Sequence, residues 1–197
     1  MPMPRRVSRT LPTVMIPGWQ GSGEGHWQTW LADQLVAAGR EVRHPVFADL
    51  DNPDLADWLS GLRASLDGLP DDGYDVVAHS LGAVLWLHHV GTANNSPRAA
   101  RVLLVAPPSP ATTIPEIMPF FPVPLDIDTV RHSADGTVLV GSDNDEYTPE
   151  GIAAAYGSPL KMATTIVPGA GHINTDAGFG EWPNVLDWCS RDNLAFF

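Results

Sequence analysis

The feature that most constrains the fold is the run Ala-His-Ser-Leu-Gly at residues 78–82. It follows the apolar residues 76–77 and precedes an apolar, helix-like stretch at 83–87. A serine between small residues at a strand-to-helix junction is typical of a nucleophile elbow, a sharp turn that exposes the serine hydroxyl at the carboxyl end of a sheet. Ala78 is small enough for such a turn, although it is less permissive than glycine. The sequence therefore predicts a strand, Ser80 and a helix in direct succession.

Short apolar runs alternate with helical patterns along the rest of the chain. This alternation is typical of βα units that build a parallel sheet. The second run contains Pro45, which indicates an edge strand because proline cannot donate to the sheet. We expect an α/β fold with a six-stranded, mostly parallel sheet and helices on both faces. The predicted strands lie at 13–16, 42–47, 75–78, 101–106, 137–140 and 164–166, and the predicted helices at 27–38, 55–66, 83–87 and 181–191.

A serine hydroxyl is a weak nucleophile at neutral pH and needs a base and an acid that orients this base. His172 lies in a Gly-rich loop after the strand-like run at 164–166, where a general base would be placed. An acidic loop at 141–147, also after a strand-like run, offers Asp145 or Asp143 as the orienting acid. The order serine, aspartate, histidine is that of the α/β-hydrolases and differs from those of chymotrypsin and subtilisin.

A Gly-rich loop after the first predicted strand offers candidates for an oxyanion hole. In α/β-hydrolases, the donors are the backbone N–H of the residue after the nucleophile and an N–H from a loop after an early strand. These positions correspond to Leu81 and Trp19, with Gln20 as the alternative to Trp19. Trp19 and Gln20 are also expected to bind substrate. His26 either helps to order this loop or only begins the next helix.

Five motifs resemble those of the small serine hydrolases related to retinoblastoma-binding protein nine. They are Pro-Gly-Trp-Gln-Gly-Ser-Gly from residue 17, His-Trp-Gln from 26, Ala-His-Ser-Leu-Gly from 78, Gly-Ser-Asp-Asn-Asp from 141 and Gly-Ala-Gly-His-Ile-Asn from 169. The resemblance extends along nearly the whole chain. It implies a single-domain α/β-hydrolase fold and a catalytic triad of Ser80, Asp145 and His172.

Two positions depart from the pattern of this family. The elbow begins with Ala78, and Glu146 stands where proline is common. The second departure leaves Asp143 open as the alternative acid. Both departures also leave open a different class of function, a protein-binding module that retains a hydrolase scaffold.

The segment 107–130 is rich in proline, with seven in all, and carries several large apolar residues. Long loops in compact domains are often functional. We expect this segment to form a lid or an acyl-binding wall to which Phe120 and Phe121 contribute. The alternative is a stiff surface crossover whose aromatic side chains enter the core.

Composition limits the binding partners and the cellular location that we expect for the protein. A chain of 197 residues is long enough for one well-packed domain, expected over 11–197 after a short disordered lead at 1–10. The formal net charge of −12 repels nucleic acids and anionic membrane surfaces. No apolar run approaches the roughly 18 residues that a membrane span requires. The single cysteine, Cys189, excludes an intramolecular disulfide and favours a cytoplasmic location.

No motif implies a metal or another cofactor. The acidic loop lacks the glycine and glutamate of a calcium-binding EF-hand, and the loop after the first strand lacks the Gly-Lys-Ser/Thr ending of a phosphate-binding Walker motif. The sequence therefore predicts a cofactor-free serine hydrolase. It would cleave small carboxylesters or thioesters through an acyl-enzyme on Ser80.

Overall fold

The computed structural model of the protein describes residues 11–70, 73–92, 97–191 and 196. The predicted lead at 1–10 lies outside the described residues. The strands are β1 (Thr13–Ile16), β2 (Val42–Arg43), β3 (Asp75–His79), β4 (Ala99–Val105), β5 (Ala134–Ser142) and β6 (Ala163–Val167). The helices are α1 (Trp27–Ala37), α2 (Leu55–Leu66), α3 (Leu81–Thr92), α4 (Ile127–Ser133), α5 (Ser158–Leu160) and α6 (Pro183–Ser190). A 3₁₀ turn at Met118–Phe120 and a π-helical turn at Ala153–Gly157 complete the regular structure described.

The strands form one sheet in the order β2-β1-β3-β4-β5-β6, and every neighbouring pair is parallel. The chain reverses its direction of travel across the sheet between β1 and β3. In open α/β sheets such a reversal leaves a crevice at the carboxyl ends of the two strands, where ligands bind. The loop after β1 and the elbow after β3 meet at this crevice.

Both faces of the sheet are covered by helices, as predicted. Residues along each central strand point alternately to the two faces, so the strands read as continuous apolar runs. Helices α1 and α6 cover one face, where they pack on Met15, Val77, Leu103, Val105, Val138 and Val140. Helices α2, α3 and α4 cover the other face, where they pack on Val14, Ile16, Val76, Ala78, Val102, Leu104 and Leu139.

Two of the predicted elements differ from the structure. The edge strand expected at 42–47 is confined to Val42–Arg43, because Pro45 has no N–H to donate to β1. The segment 107–130, expected to be irregular throughout, contains the start of α4. Asp126 caps this helix by accepting a hydrogen bond from the Thr129 N–H, a common signal for the start of a helix.

A buried ionic cluster lies at the amino-terminal end of the sheet. The carboxylate of Asp75, the first residue of β3, is fully buried between Arg40 and Arg101. Arg101 donates through Nε to Asp75 Oδ1 at 3.0 Å, and its guanidinium lies 4.7 Å from the centre of the Trp188 ring. Arg40 also donates to the carbonyl of Cys189. The cluster therefore links β3 to β4 and to helix α6.

Replacing Asp75 with Asn should destabilise the protein by about 3 to 5 kcal/mol, because two guanidinium groups would lose their buried counter-charge. The matched control is Asp187→Asn, which removes a pair with Arg191 in which both side chains are 60% exposed. That change should cost less than about 1 kcal/mol. Urea unfolding of the two variants measures the difference, and equal losses would contradict the structural role assigned to Asp75.

Among the described residues, no helix combines the length and the apolar composition that crossing a membrane requires.

Candidate active site

Ser80 lies at the junction of β3 and α3 in a left-handed backbone conformation, with φ of +52°. A non-glycine residue in this region carries strain, which persists only where the surroundings hold it. The Ser80 N–H donates to the carbonyl of Val105 at 2.8 Å, which ties the turn to the end of β4. The predicted elbow is confirmed as a local structure, and α3 begins at the next residue.

Two glycines, Gly82 in the elbow and Gly18 in the loop after β1, allow these two backbone segments to lie close together. A Cβ on Gly82 would be 2.4 Å from the carbonyl oxygen of Pro17, and a Cβ on Gly18 would be 2.8 Å from Cβ of Ser80. Ala78, in contrast, is fully buried within β3, where its methyl group is accommodated in the core. The elbow therefore depends on Gly82 and Gly18 and forms with alanine at its first position.

His172 connects Ser80 to Asp145. Its Nε2 lies 2.9 Å from Ser80 Oγ, and its Nδ1 lies 2.9 Å and 3.0 Å from the two carboxylate oxygens of Asp145. Since a carboxylate can only accept, Nδ1 carries the proton in neutral His172 and Nε2 is free to accept from the serine hydroxyl. The structure thus brings together three side chains that are far apart in the sequence, in the arrangement required for proton transfer from Ser80.

The two candidate acids have different surroundings. Asp145 is buried beside His172, and its Oδ1 also accepts a hydrogen bond from the Tyr147 N–H at 2.9 Å. Asp143 is exposed, and its Oδ1 accepts from the Gly169 N–H at 2.7 Å. Asp145 therefore contacts the imidazole, whereas Asp143 holds the backbone of the loop that carries it.

Polar side chains at the end of β5 and directly after it bind the loop after β6 at two further points. Asn144 Oδ1 accepts from the Gly171 N–H at 2.7 Å, and Ser142 Oγ accepts from the Ala170 N–H at 2.9 Å. Sequence reasoning missed this function. The signal was the succession of short polar side chains directly after a strand, which commonly bind nearby backbone N–H groups.

The side chain of His79, the residue before Ser80, contacts the backbone of His172. Its Nε2 lies 3.0 Å from the carbonyl oxygen of His172. Burial, reinforced by the nearby His172 and His26, lowers the pKa of His79 well below its usual value, so the ring is neutral and donates through Nε2. The ring also packs edge-on against Trp27. His79 therefore positions the backbone of His172.

His26 directly precedes helix α1 as its N-cap residue. Its Nδ1 accepts a hydrogen bond from the Gln28 N–H at 3.1 Å, so the side chain caps the helix. Burial and the nearby His172 lower the pKa of His26 to about 4. The ring lies 5.0 Å from that of His79, so His26, His79 and His172 form a contiguous row.

Two backbone N–H groups near Ser80 are available as donors. Within the part of the chain that the structure describes, the N–H groups of Trp19 and Leu81 donate to no protein acceptor. The N–H of Gln20, the alternative donor, is engaged with the carbonyl of Leu50 at 2.9 Å. The indole of Trp19 donates to the Asp51 carbonyl at 2.8 Å, which fixes the loop after β1.

A cavity of about 210 Å³ opens beside Ser80. Asp176 is the one Asp, Glu, Lys or Arg among the described residues that line it. The loops after β1, β3, β4, β5 and β6 all contribute to its wall, which consists of Trp19, Gln20, Gly21, Gly23, His26, His79, Ser80, Leu81, Pro108, Ile117, Tyr147, His172, Asn174, Thr175 and Asp176.

Phe120 and Phe121, predicted to bind substrate, are absent from the described residues that line this cavity. Phe120 is fully buried and packs edge-on against Trp58, with ring centres 5.4 Å apart. His88 donates through Nε2 to the Phe120 carbonyl at 2.7 Å, which holds this turn against α3. The prediction for Phe120 is corrected because burial of its ring in the core outweighs exposure in a cleft. The segment 107–130 reaches the cavity instead through Pro108 and Ile117.

Within the described ranges, no group of three or more His, Cys, Asp or Glu side chains is arranged to hold a metal ion. Cys189 is buried, and its burial raises the pKa of the thiol to about 12. It is therefore unreactive at neutral pH.

Comparison with known proteins agrees with this geometry. Residues 13–191 match the model of a family described as serine hydrolase. The chain belongs to this serine hydrolase family. The family resemblance found in the motifs is therefore confirmed, and no curated protein matches the sequence significantly.

Solved structures of similar fold include the ydeN gene product of Bacillus subtilis, which is 24% identical with a TM-score of 0.80 over 90% of this chain and 96% of that one. A protein described as a YdeN-like hydrolase from Pectobacterium atrosepticum is 25% identical, with a TM-score of 0.72 over 93% and 91% of the two chains. The thioesterase domain from the curacin biosynthetic pathway is 16% identical, with a TM-score of 0.63 over 92% and 91%. The α/β-hydrolase fold is confirmed.

Replacing Gly82 with Ala tests the close approach at the elbow. Helix propensity alone would make this change in α3 stabilising by about 1 kcal/mol. The contact between the new methyl group and the Pro17 carbonyl should instead destabilise the protein by about 2 kcal/mol. Gly23→Ala is the control, since no atom lies within 4 Å of the Cβ it would add. A more stable Gly82→Ala variant in thermal unfolding would refute the close approach.

Proposed function

We propose that this serine hydrolase cleaves small ester-like substrates through an acyl-enzyme on Ser80. The observation that carries the proposal is the position of His172, which lies 2.9 Å from Ser80 Oγ and 2.9 Å from the Asp145 carboxylate. This geometry provides a base for the weakly acidic hydroxyl and a counter-charge for the imidazolium that forms. We therefore assign Ser80 as the nucleophile, His172 as the base and Asp145 as the acid that orients this base.

The reaction would proceed in two halves. In the first, Ser80 Oγ attacks the substrate carbonyl carbon while its proton passes to His172 Nε2. The tetrahedral intermediate then collapses, the bond to the leaving alcohol or thiol breaks, and His172 returns the proton to that group. In the second, water adds to the acyl-enzyme and gives a proton to His172, which passes it back to Ser80 as the carboxylic acid leaves.

The N–H groups of Trp19 and Leu81 are proposed to stabilise the negative charge on the carbonyl oxygen. Both are available, while that of Gln20 is engaged with Leu50. Leu81 is the first residue of α3, so its N–H also lies at the positive end of the helix dipole. Loss of one donor of this kind typically lowers kcat by about 100- to 1,000-fold.

The cavity supports a small, uncharged acyl group. Its volume of about 210 Å³ is below the roughly 300 Å³ of the smallest typical ligand pockets. Carboxylesters are proposed as the main substrate class. Thioesters are the second class, because the fold is shared with the curacin thioesterase domain and the same chemistry cleaves both bonds.

Labelling with a fluorophosphonate, which forms a covalent adduct with activated serines, tests the proposal. The wild-type protein should be labelled and should hydrolyse p-nitrophenyl acetate and butyrate faster than the octanoate ester. Ser80→Ala should lose the label and at least about 1,000-fold of the ester turnover. Absence of label in the wild-type protein would overturn the proposal and favour a protein-binding module on this scaffold.

Matched variants of the two acidic residues should behave differently. Asp145→Asn should lower kcat by about 1,000- to 10,000-fold, because an amide beside Nδ1 favours the wrong tautomer of His172. Asp143→Asn retains an oxygen that can accept from Gly169, so kcat should stay within about threefold of the wild type. Steady-state kinetics with a p-nitrophenyl ester measures both. A larger loss for Asp143→Asn would reverse the assignment.

A further inference from the structure

We propose that His26 binds the substrate, and that its Nε2–H donates a hydrogen bond to a neutral oxygen other than that of the scissile carbonyl. This inference rests on the proposed function of the cavity beside Ser80. It adds a specificity-determining residue and names a substrate class, namely small esters that carry a second oxygen such as an ether, hydroxyl or carbonyl oxygen.

The hydrogen bond at Nδ1 determines which nitrogen of His26 carries the proton. The Gln28 backbone N–H donates to His26 Nδ1 at 3.1 Å, so Nδ1 must be unprotonated. Because burial and His172 keep the ring neutral down to about pH 4, its one N–H is at Nε2. Cap formation and burial thus leave a neutral donor on the opposite edge of the ring.

This donor lies at the cavity. His26 is only 5% exposed, and it is one of the residues that line the space beside Ser80. Within the described part of the chain, its Nε2 has no hydrogen-bond acceptor, whereas Nε2 of the neighbouring His79 donates to the His172 carbonyl. The Nε2 atom is not among the buried side-chain atoms without a partner, so this N–H opens to the cavity and is within reach of water. A substrate that displaces this water has to supply an acceptor in its place, or the hydrogen bond is lost.

The oxygen it binds differs from the one on which negative charge develops. The ring of His79 contacts those of both His26 and His172, with centre-to-centre distances of 5.0 Å and 5.2 Å, whereas His26 and His172 make no ring contact with each other among the described residues. His26 is therefore one ring removed from the group that contacts Ser80 Oγ. The amides of Trp19 and Leu81 are already assigned to the carbonyl oxygen.

Charge in the cavity indicates that the second oxygen is neutral. The donor itself is uncharged, and Asp176 is the one Asp, Glu, Lys or Arg among the described lining residues. A carboxylate or phosphate on the substrate would meet a like charge with no cation to balance it. An ether, hydroxyl or carbonyl oxygen needs only the hydrogen bond.

Two substitutions separate the donor from the helix cap. Asn places its side-chain oxygen near the position of Nδ1 and has no atom at the position of Nε2, so His26→Asn keeps the cap and removes the donor. Gln reaches the position of Nε2 with an N–H, so His26→Gln keeps the donor and loses the cap. Both variants lose the packing of the buried ring against Trp27 and His79, and only His26→Gln also loses the cap. The melting temperature should therefore fall further for His26→Gln than for His26→Asn, which is the reverse of the order expected for the effect on substrate.

The test uses pairs of esters that differ by one oxygen in place of a methylene group. One pair is p-nitrophenyl methoxyacetate and butyrate, which places the oxygen in the acyl group. The other is 2-methoxyethyl acetate and butyl acetate, which places it in the alcohol. The ratio of kcat/KM within a pair, compared between variants, cancels the intrinsic reactivity of the esters.

In one of the two pairs, His26→Asn should lower the preference for the oxygen-containing ester by about three- to tenfold, and His26→Gln should restore most of it. Unchanged ratios in both pairs, or an equal loss for all four esters, would overturn the assignment of His26. Fluorophosphonate labelling of Ser80 distinguishes this failure from failure of the proposed function. Labelled wild-type protein that hydrolyses none of the esters would overturn the substrate class alone, and unlabelled protein would overturn both.

Discussion

The close contact between the first turn of α3 and the end of β1 is the constraint on which the site depends. Gly82 lies so near the carbonyls of Pro17 and Ile16 that a single methyl group would not fit. This contact holds Ser80 in its strained conformation and sets the elbow against the loop that presents the Trp19 N–H. The direction of the chain across the sheet reverses between the same two strands, β1 and β3. The position of the cavity, the half-buried serine that lines it and the free backbone donors therefore share one physical origin.

His172, the proposed base, reaches this elbow through contacts between loops on the other half of the sheet. Ser142 ends β5, and Asp143 and Asn144 follow it. The side-chain oxygens of all three accept hydrogen bonds from three successive N–H groups of the loop after β6. The two loops are thus joined by hydrogen bonds, and together they carry Asp145 and His172. At the opposite end of the sheet, the cluster around Asp75 joins β3, β4 and α6. Hydrogen bonds and buried charge therefore hold both ends of a sheet whose middle is held by apolar packing.

The sequence predicted the elements that depend on a local residue pattern. It did not predict the positions of side chains that long-range packing determines. The elbow around Ser80 and the strands could be predicted because strained turns and buried strands need particular residues at fixed spacing. The residue pattern alone could not separate Asp143 from Asp145, and only the family resemblance favoured Asp145. Both residues follow β5, and the hydrogen bonds of the folded loop determine which one faces His172. Phe120 was misplaced for a related reason, because an apolar side chain in a Pro-rich loop can line a cleft or enter the core. The contact of its ring with Trp58 shows that Phe120 packs in the core.

The row formed by His26, His79 and His172 shows how the site combines many donors with little positive charge. Three charged imidazoles with ring centres about 5 Å apart would repel one another strongly. Burial removes that cost, because it keeps His26 and His79 neutral and leaves each with one N–H in a defined place. His79 uses its N–H to hold the His172 backbone, whereas that of His26 remains available to the cavity. In the proposed reaction, positive charge can then develop on His172 beside Asp145 without a charged histidine next to it.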